Sequence, residues 1–188
     1  MSALARRPDP DALGGLEIAK MRRRHLRKVL SIESRVYPRP WSTSLFLSEM
    51  AQRTTRTYLV AKHRGEVVGY AGMMFTGREA HVTNIAVDPE VHGRSVGTRL
   101  LLTIVTEAIA RGAETISLEV RVSNTVAQAM YEKFGFSVTG VRKGYYIETQ
   151  EDALVMVAED TRSTSYRLRL QAIREQLDRR LEEEASGG

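Results

Sequence analysis

The sequence contains no cysteine. That single absence removes disulfides, thiolate-bound zinc and a covalent cysteine intermediate. Long apolar runs are missing too: the best stretch is 100–105, far short of the roughly 20 residues that span a bilayer. Residues 1–11 hold Arg, Pro and Asp but no apolar stretch of a secretory signal, so the chain reads as soluble and cytoplasmic. The four histidines, His25, His63, His81 and His92, lack metal-ligand spacing, and no metal is expected. There is no internal repeat, no Gly-Lys-Ser/Thr of a Walker loop and no G-x-G-x-x-G dinucleotide fingerprint.

What is present suits one globular domain. The 188 residues are enough for a proper core, and 42% hydrophobic with 27% charged residues is close to the globular average. The net charge of +5 is local: residues 1–50 carry ten Lys/Arg against five Asp/Glu, and the rest of the chain is balanced. Arg22, Arg23, Arg24, Arg27 and Lys28 make most of this excess. They flank an apolar stripe of Leu26, Val29 and Leu30, as on a solvated helix face; a nucleic-acid patch is the competing reading.

Residues 1–14 are aperiodic and are expected to be a disordered leader. A short strand follows over 15–20, then an amphipathic helix over 22–35 that Tyr37-Pro-Arg-Pro-Trp41 breaks. Ser42 suits the N-cap of a helix through about Ala51. Strands over 58–62 and 67–75 flank the turn Arg64-Gly65, and another over 81–87 ends at Asp88-Pro89. A helix over 97–111 carries Leu100, Leu101, Ile104, Val105, Ala108 and Ile109 at helical spacing. Residues 115–122 alternate, with Ile116, Leu118, Val120 and Val122 on one face and Ser117, Glu119 and Arg121 on the other. Asn124 can cap a helix to about Phe134 with Val126, Ala127, Met130 and Tyr131 on one side. Strands over 136–146 and 153–157 close the unit. The pattern is α/β: a mixed central sheet flanked by helices over 15–160, with an extra amphipathic helix over 161–188. The stripe Tyr166, Leu170, Ile173, Leu177 and Leu181 on that tail is expected to pack on its own domain, with dimerisation or contact with another protein as alternatives.

The segment from Val87 to Thr98 joins a strand to a helix. Free amides at a helix N-terminus attract anions, Gly93 and Gly97 allow close approach, and Arg94 adds charge. Alone, this is as much an ordinary strand–helix turn as a phosphate loop.

The element order, the loop His92-Gly-Arg-Ser-Val-Gly97 and the stretch from Asn124 to Tyr131-Glu-Lys-Phe-Gly-Phe136 resemble the GNAT acetyltransferase superfamily. Its loop is usually Q/R-x-x-G-x-G/A; here His92 holds the first place, Ser95 replaces the first glycine and only Gly97 is retained. Within the superfamily the chain resembles the RimI-type ribosomal-protein-alanine N-acetyltransferases, through Tyr37 to Ser42, Asn84 to Pro89, Leu118 to Asn124 and Tyr145-Tyr146. The resemblance covers roughly 16–158.

It implies direct acetyl transfer from acetyl-CoA to a protein N-terminal amine, the substrate being the N-terminal peptide of a small-subunit ribosomal protein. An α-amine has a pKa of about 7.7–8.0 against about 10.4 for lysine, so its neutral fraction at neutral pH is greater by a factor of a few hundred. One positioned carboxylate is enough help. The resemblance assigns Glu119 as proton acceptor, where a solvated strand Glu is the plain alternative. It assigns Tyr131 as proton donor to the leaving thiolate, where the pattern alone suggests core packing. It places CoA against Ile85, Ala86 and Val87, against Gly93, Arg94, Ser95, Val96, Gly97 and Thr98, and against Asn124. The peptide groove is expected between Tyr37–Trp41 and Tyr145-Tyr146, although Trp41 equally suits the core. No membrane or direct nucleic-acid partner is expected. A GNAT enzyme acting on lysine, a polyamine or another small amine is the main alternative, and a CoA-binding regulatory or nucleic-acid-associated module is the other.

Overall fold

The computed structural model describes residues 15–186, so the leader expected over 1–14 lies outside the described residues. Strand β1 (Glu17–Lys20) leads through a 3₁₀ turn (Arg23–His25) into helices α1 (Leu26–Val36) and α2 (Thr43–Ala51). An antiparallel meander follows: β2 (Arg56–His63), β3 (Glu66–Thr76) and β4 (Glu79–Val87). Helix α3 (Val96–Ala110) crosses to β5 (Thr115–Arg121), and helix α4 (Thr125–Lys133) leads to β6 (Ser137–Tyr146) and β7 (Glu151–Ala158). Helix α5 (Thr164–Ser186) completes the described chain. The seven strands form one sheet in the order β1-β2-β3-β4-β5-β7-β6. Only β4 and β5 pair in parallel, as a strand–helix–strand crossover requires.

Side-chain alternation divides the core between the two sheet faces. In β2, Tyr58 and Val60 join a cluster with Val29 and Ile32 of α1 and Phe46 of α2. Their neighbours Leu59 and Ala61 join the larger cluster, with Leu100, Leu101 and Ile104 of α3. Ser42 Oγ caps α2 by accepting from the Leu45 amide, and Asn124 Oδ1 caps α4 by accepting from Ala127. The basic run beside α1 is outward: Arg22, Arg23, Arg24 and Arg27 are exposed, while Leu26 and Val29 are buried.

Three local expectations need correction. The first helix starts at Leu26, because His25 Nδ1 accepts the Arg22 amide and holds Arg23–His25 as a 3₁₀ turn. Val122 is 44% exposed, since β5 has already ended at Arg121. Val126 is 83% exposed, because the buried side of α4 runs through Tyr131 and Phe134, and Val126 borders an open cavity.

Helix α5 is built into the larger core. Tyr166, Leu170, Ile173 and Leu177 are buried there beside Phe134 and Phe136. Tyr166 Oη donates to the Phe134 carbonyl at 2.7 Å, satisfying an acceptor at the C-terminal end of α4. Thr161, fully buried, donates from Oγ1 to the Ala113 carbonyl at 2.9 Å and anchors the approach to the helix.

Two predictions follow from the packing. The register of β3 on β4 shifts after Gly72, which leaves Thr83 as the extra residue of a β-bulge. A Cβ on Gly72 would lie 2.3 Å from Tyr58 Cε1 and 2.4 Å from Asn84 Oδ1. Gly72→Ala is therefore expected to lower the unfolding free energy by about 1–3 kcal/mol in urea denaturation, and unchanged stability would contradict this packing. The second concerns Glu33, which is 2% exposed on α1; its Oε1 accepts the Trp41 amide at 2.9 Å and its Oε2 is buried without a partner. Desolvation pushes the carboxyl up to about 6 from an ordinary 4.5. Between those values the folded state binds more protons than the unfolded chain, so stability falls as pH rises from about 4.5 through 6. The loss is about 2 kcal/mol, and Glu33→Gln should flatten that part of the stability–pH curve; an unchanged slope would assign it elsewhere.

Candidate active site

The site begins where the sheet opens. Strands β4 and β5 pair only through Glu79–Thr115, Ala80–Ile116 and His81–Ser117. Beyond His81 the Thr83 bulge turns β4, and no further pairing joins the two strands. The edge of β4 that faces away from β3 thus has no strand partner over Ile85, Ala86 and Val87.

The strand leads into a pinned loop. Asp88 is buried, and its carboxylate takes a 2.7 Å hydrogen bond from Arg35 on α1 and one from the Glu90 amide. Burial pushes this carboxyl up, but those donors outweigh it and hold it below the usual range. His92 Nε2 donates to the Val87 carbonyl at 3.0 Å, closing the loop on its own strand. Gly93 and Ser95 then take left-handed backbone angles, with φ of +78° and +61°. For Ser95 that conformation costs about 1–2 kcal/mol relative to a right-handed one. It turns the chain into α3 without a side-chain cap. The first amides of α3 have no carbonyl one turn earlier to bond, so the helix starts as an anion-attracting end.

These amides line a cavity of about 610 Å³. Ile85, Ala86 and Val87 form one wall, Gly93 and Ser95 to Thr98 the floor, and Asn124, Ala127, Met130 and Tyr131 of α4 the facing wall. A ligand with an anionic group suits this lining, with the amides at the start of α3 to receive the charge.

On β5, the strand that parts from β4, stands a carboxylate held by two basic side chains. Glu119 on β5 is mostly buried; Oε2 lies 2.8 Å from His81 Nε2, and Oε1 lies 3.3 Å from Arg142 Nε on β6. With Nε2 protonated toward the carboxylate, His81 Nδ1 accepts from the Ser117 hydroxyl at 2.9 Å. The His81 hydrogen bond lowers the Glu119 carboxyl most; desolvation opposes it and Arg142 adds to it, so the group lies below its ordinary range. Tyr131 has the opposite environment. It is 5% exposed with its ring 5.9 Å from Phe136, and burial together with the nearby Tyr146 pushes its hydroxyl far above 10. Glu119 is therefore ionised and Tyr131 protonated across the neutral range.

The aromatic positions separate. Tyr37 donates from Oη to the Ile85 carbonyl at 2.9 Å, and its titration feels Tyr131, Glu33 and Tyr146, so it belongs to this neighbourhood. Tyr146 lies under the Arg121 guanidinium, 3.8 Å from the ring centroid, and burial pushes its hydroxyl up to about 12. Tyr145 stands at right angles to Tyr146 and is 47% exposed. Trp41 turns its ring to Phe46 and Tyr58, 5.2 and 6.5 Å away, within the α1–α2 cluster. Arg94 is exposed on the loop. Sequence reasoning missed His81, Arg142 and Glu33 as parts of this neighbourhood. The alternation that puts Glu119 on the outer face of β5 puts Ser117 on the same face, and the parallel register brings His81 opposite Ser117.

The comparisons with known proteins agree with this geometry. The model of the acetyltransferase (GNAT) family matches residues 26–136. The ribosomal protein bS18-alanine N-acetyltransferase of Escherichia coli is 37% identical over 127 residues, covering 66% of this chain and 84% of that protein. The N-alpha-acetyltransferase RimI of Mycobacterium tuberculosis is 39% identical over 121 residues, covering 62% and 74%. The crystal structure of the ribosomal-protein-S18-alanine N-acetyltransferase from Escherichia coli superposes with a TM-score of 0.71 at 32% identity, over 77% of this chain and 94% of that one. An opened parallel pair of strands, a helix start without a side-chain cap and these similarities lead to one conclusion: the chain belongs to the GNAT acetyltransferase family, among its ribosomal-protein-alanine N-acetyltransferases.

Proposed function

We propose that the protein transfers the acetyl group of acetyl-CoA to the N-terminal α-amine of a protein, the substrate being the N-terminal alanine of a small-subunit ribosomal protein. Its place of work is then the cytoplasm, where ribosomal proteins are made. The observation that carries the reading is a cavity lined by the start of α3, by β4 and by the Tyr131 side chain, with the Glu119 carboxylate on the neighbouring β5 held by His81 and Arg142.

The lining suits acetyl-CoA. The amides of Val96, Gly97 and Thr98, with Gly93, Arg94 and Ser95 before them, receive the pyrophosphate at the start of α3. The edge of β4 over Ile85, Ala86 and Val87, which has no strand partner on this side, offers its free amide N–H groups to the pantetheine carbonyls, the Ile85 and Val87 carbonyls being held by Tyr37 and His92. Asn124 serves twice, capping α4 through Oδ1 and bordering the cavity. When bound, acetyl-CoA supplies an electrophilic thioester carbonyl and a thiolate leaving group.

The residues divide the proton work. A carboxylate oxygen of Glu119 accepts the proton of the incoming α-ammonium, directly or through one water, and the amine lone pair is freed to attack. As the C–N bond forms and the C–S bond breaks, Tyr131 Oη gives its proton to the departing sulfur, and the second proton shed by the nitrogen restores the Tyr131 hydroxyl while the one held by Glu119 passes to solvent. Because His81 and Arg142 keep Glu119 weakly basic, the site is matched to an amine that is already partly neutral at pH 7. Lysine, with a neutral fraction smaller by a factor of a few hundred, is a poor fit. Tyr37, Trp41, Tyr145 and Tyr146 border the path of the peptide, with Tyr145 exposed, Tyr146 half-buried beside it and Trp41 supporting the α1–α2 side from beneath.

Mass spectrometry of peptides incubated with acetyl-CoA tests the substrate class. An Ala-starting ribosomal-protein peptide should gain one acetyl group, and the same peptide with a blocked α-amine should gain none. Modification of a lysine control instead would move the enzyme to the side-chain or small-amine acetyltransferases. Glu119→Gln and Tyr131→Phe should each lower kcat/KM by about 10²-fold or more, the usual worth of a positioned acid or base, while CoA binding by calorimetry persists. Full activity in either variant would remove that residue from the proton path.

A further inference from the structure

Helix α5 lies beyond the family match, which ends at residue 136, yet it forms part of the cavity. Ile173, Gln176, Leu177 and Arg180 line it together with the loop and α4. Leu177 and Ile173 are buried in the core, which fixes the rotation of the helix and leaves Arg180 exposed above the loop. Arg180 Nη1 donates to Ser95 Oγ at 3.0 Å. Ser95 is the residue that replaces the loop's usual first glycine, so the added helix meets the loop at its one added side chain.

The charge around the loop gives this contact a purpose. Arg94 is the only guanidinium within the six-residue loop from His92 to Gly97. Arg99, one turn into α3, is partly desolvated and faces Asp178 and Glu184 of α5, so its charge is offset by carboxylates. Arg180 is held by a neutral hydroxyl, and its remaining N–H groups are free of any carboxylate contact among the described residues. A guanidinium can hold one neutral acceptor and still present its other donors to a phosphate.

We propose that Arg180 is a binding residue for the phosphates of CoA, and that Ser95 positions it there, so that α5 is a working wall of the cosubstrate site. This rests on acetyl-CoA being the cosubstrate. The bond it would make is charge-assisted, the stronger class of hydrogen bond, and its loss should weaken binding about tenfold.

Titration calorimetry of the full chain with CoA and with 3′-dephospho-CoA tests it, with melting temperature as a check on folding. Arg180→Ala should raise the Kd for CoA about tenfold at unchanged melting temperature and make binding less sensitive to salt. Arg180→Lys should recover part of the loss. Ser95→Gly should weaken binding less than Arg180→Ala, and the double variant should be no worse than Arg180→Ala alone. A defect equal for both ligands assigns Arg180 to the pyrophosphate; one that vanishes with 3′-dephospho-CoA assigns it to the 3′-phosphate. An unchanged Kd in Arg180→Ala overturns the proposal, and so does tighter binding, which would make α5 an obstruction. Failure of the unsubstituted protein to bind CoA would instead overturn the cosubstrate reading on which the proposal rests.

Discussion

Everything at the site depends on how briefly β4 and β5 hold together. Two parallel strands that pair for three residues and then separate create a cleft inside the sheet, where a continuous sheet would have none. The bulge at Thr83 starts the divergence, and the tight approach of Gly72 to Tyr58 and Asn84 locks the bulge in place. From there Asp88, gripped by Arg35, sends the chain into the loop, and the loop delivers the start of α3 to the floor of the cleft. A helix terminus is an ordinary feature of any helix; here the backbone leaves it open to a ligand.

The same divergence separates two electrostatic environments. Near the last paired residues, His81 and Arg142 surround Glu119 and keep it charged. On the facing helix, Tyr131 sits in an apolar wall with Phe134 and Phe136 and keeps its proton. These opposite protonation states need no unusual residue. They follow from a strand whose outward face meets basic neighbours and a helix whose inward face meets the core.

Much of this is legible in the amino-acid sequence. Elements with a strong period, such as the alternating β5 and the stripe of α3, were visible because one face of each is buried. The caps at Ser42 and Asn124 were visible because their side chains bond locally. What stayed hidden depends on tertiary register. His81 reaches Glu119 only through the β4–β5 pairing, and Arg142 only because β7 brings β6 to that side of the sheet. Val126 looked like core by spacing, yet its helix turns that edge toward the cavity. Arg180 and Ser95 are 85 positions apart, and no local pattern connects them.

The turn beyond Tyr146 is latched before any substrate arrives. Arg121 stacks on Tyr146 while its Nη1 bonds Thr149 at 2.7 Å, and Glu151 takes the Ser123 amide at 2.7 Å. The aromatic surface is thus preorganised, and binding asks little further conformational entropy of the protein. The ordering cost falls on the incoming peptide. A free chain end has the fewest residues to immobilise and no second flank to accommodate, whereas a side chain in the middle of a folded segment carries both flanks with it. Under the proposed function, selectivity for chain ends is then partly a matter of stiffness, set by Arg121, Thr149, Glu151 and Tyr146.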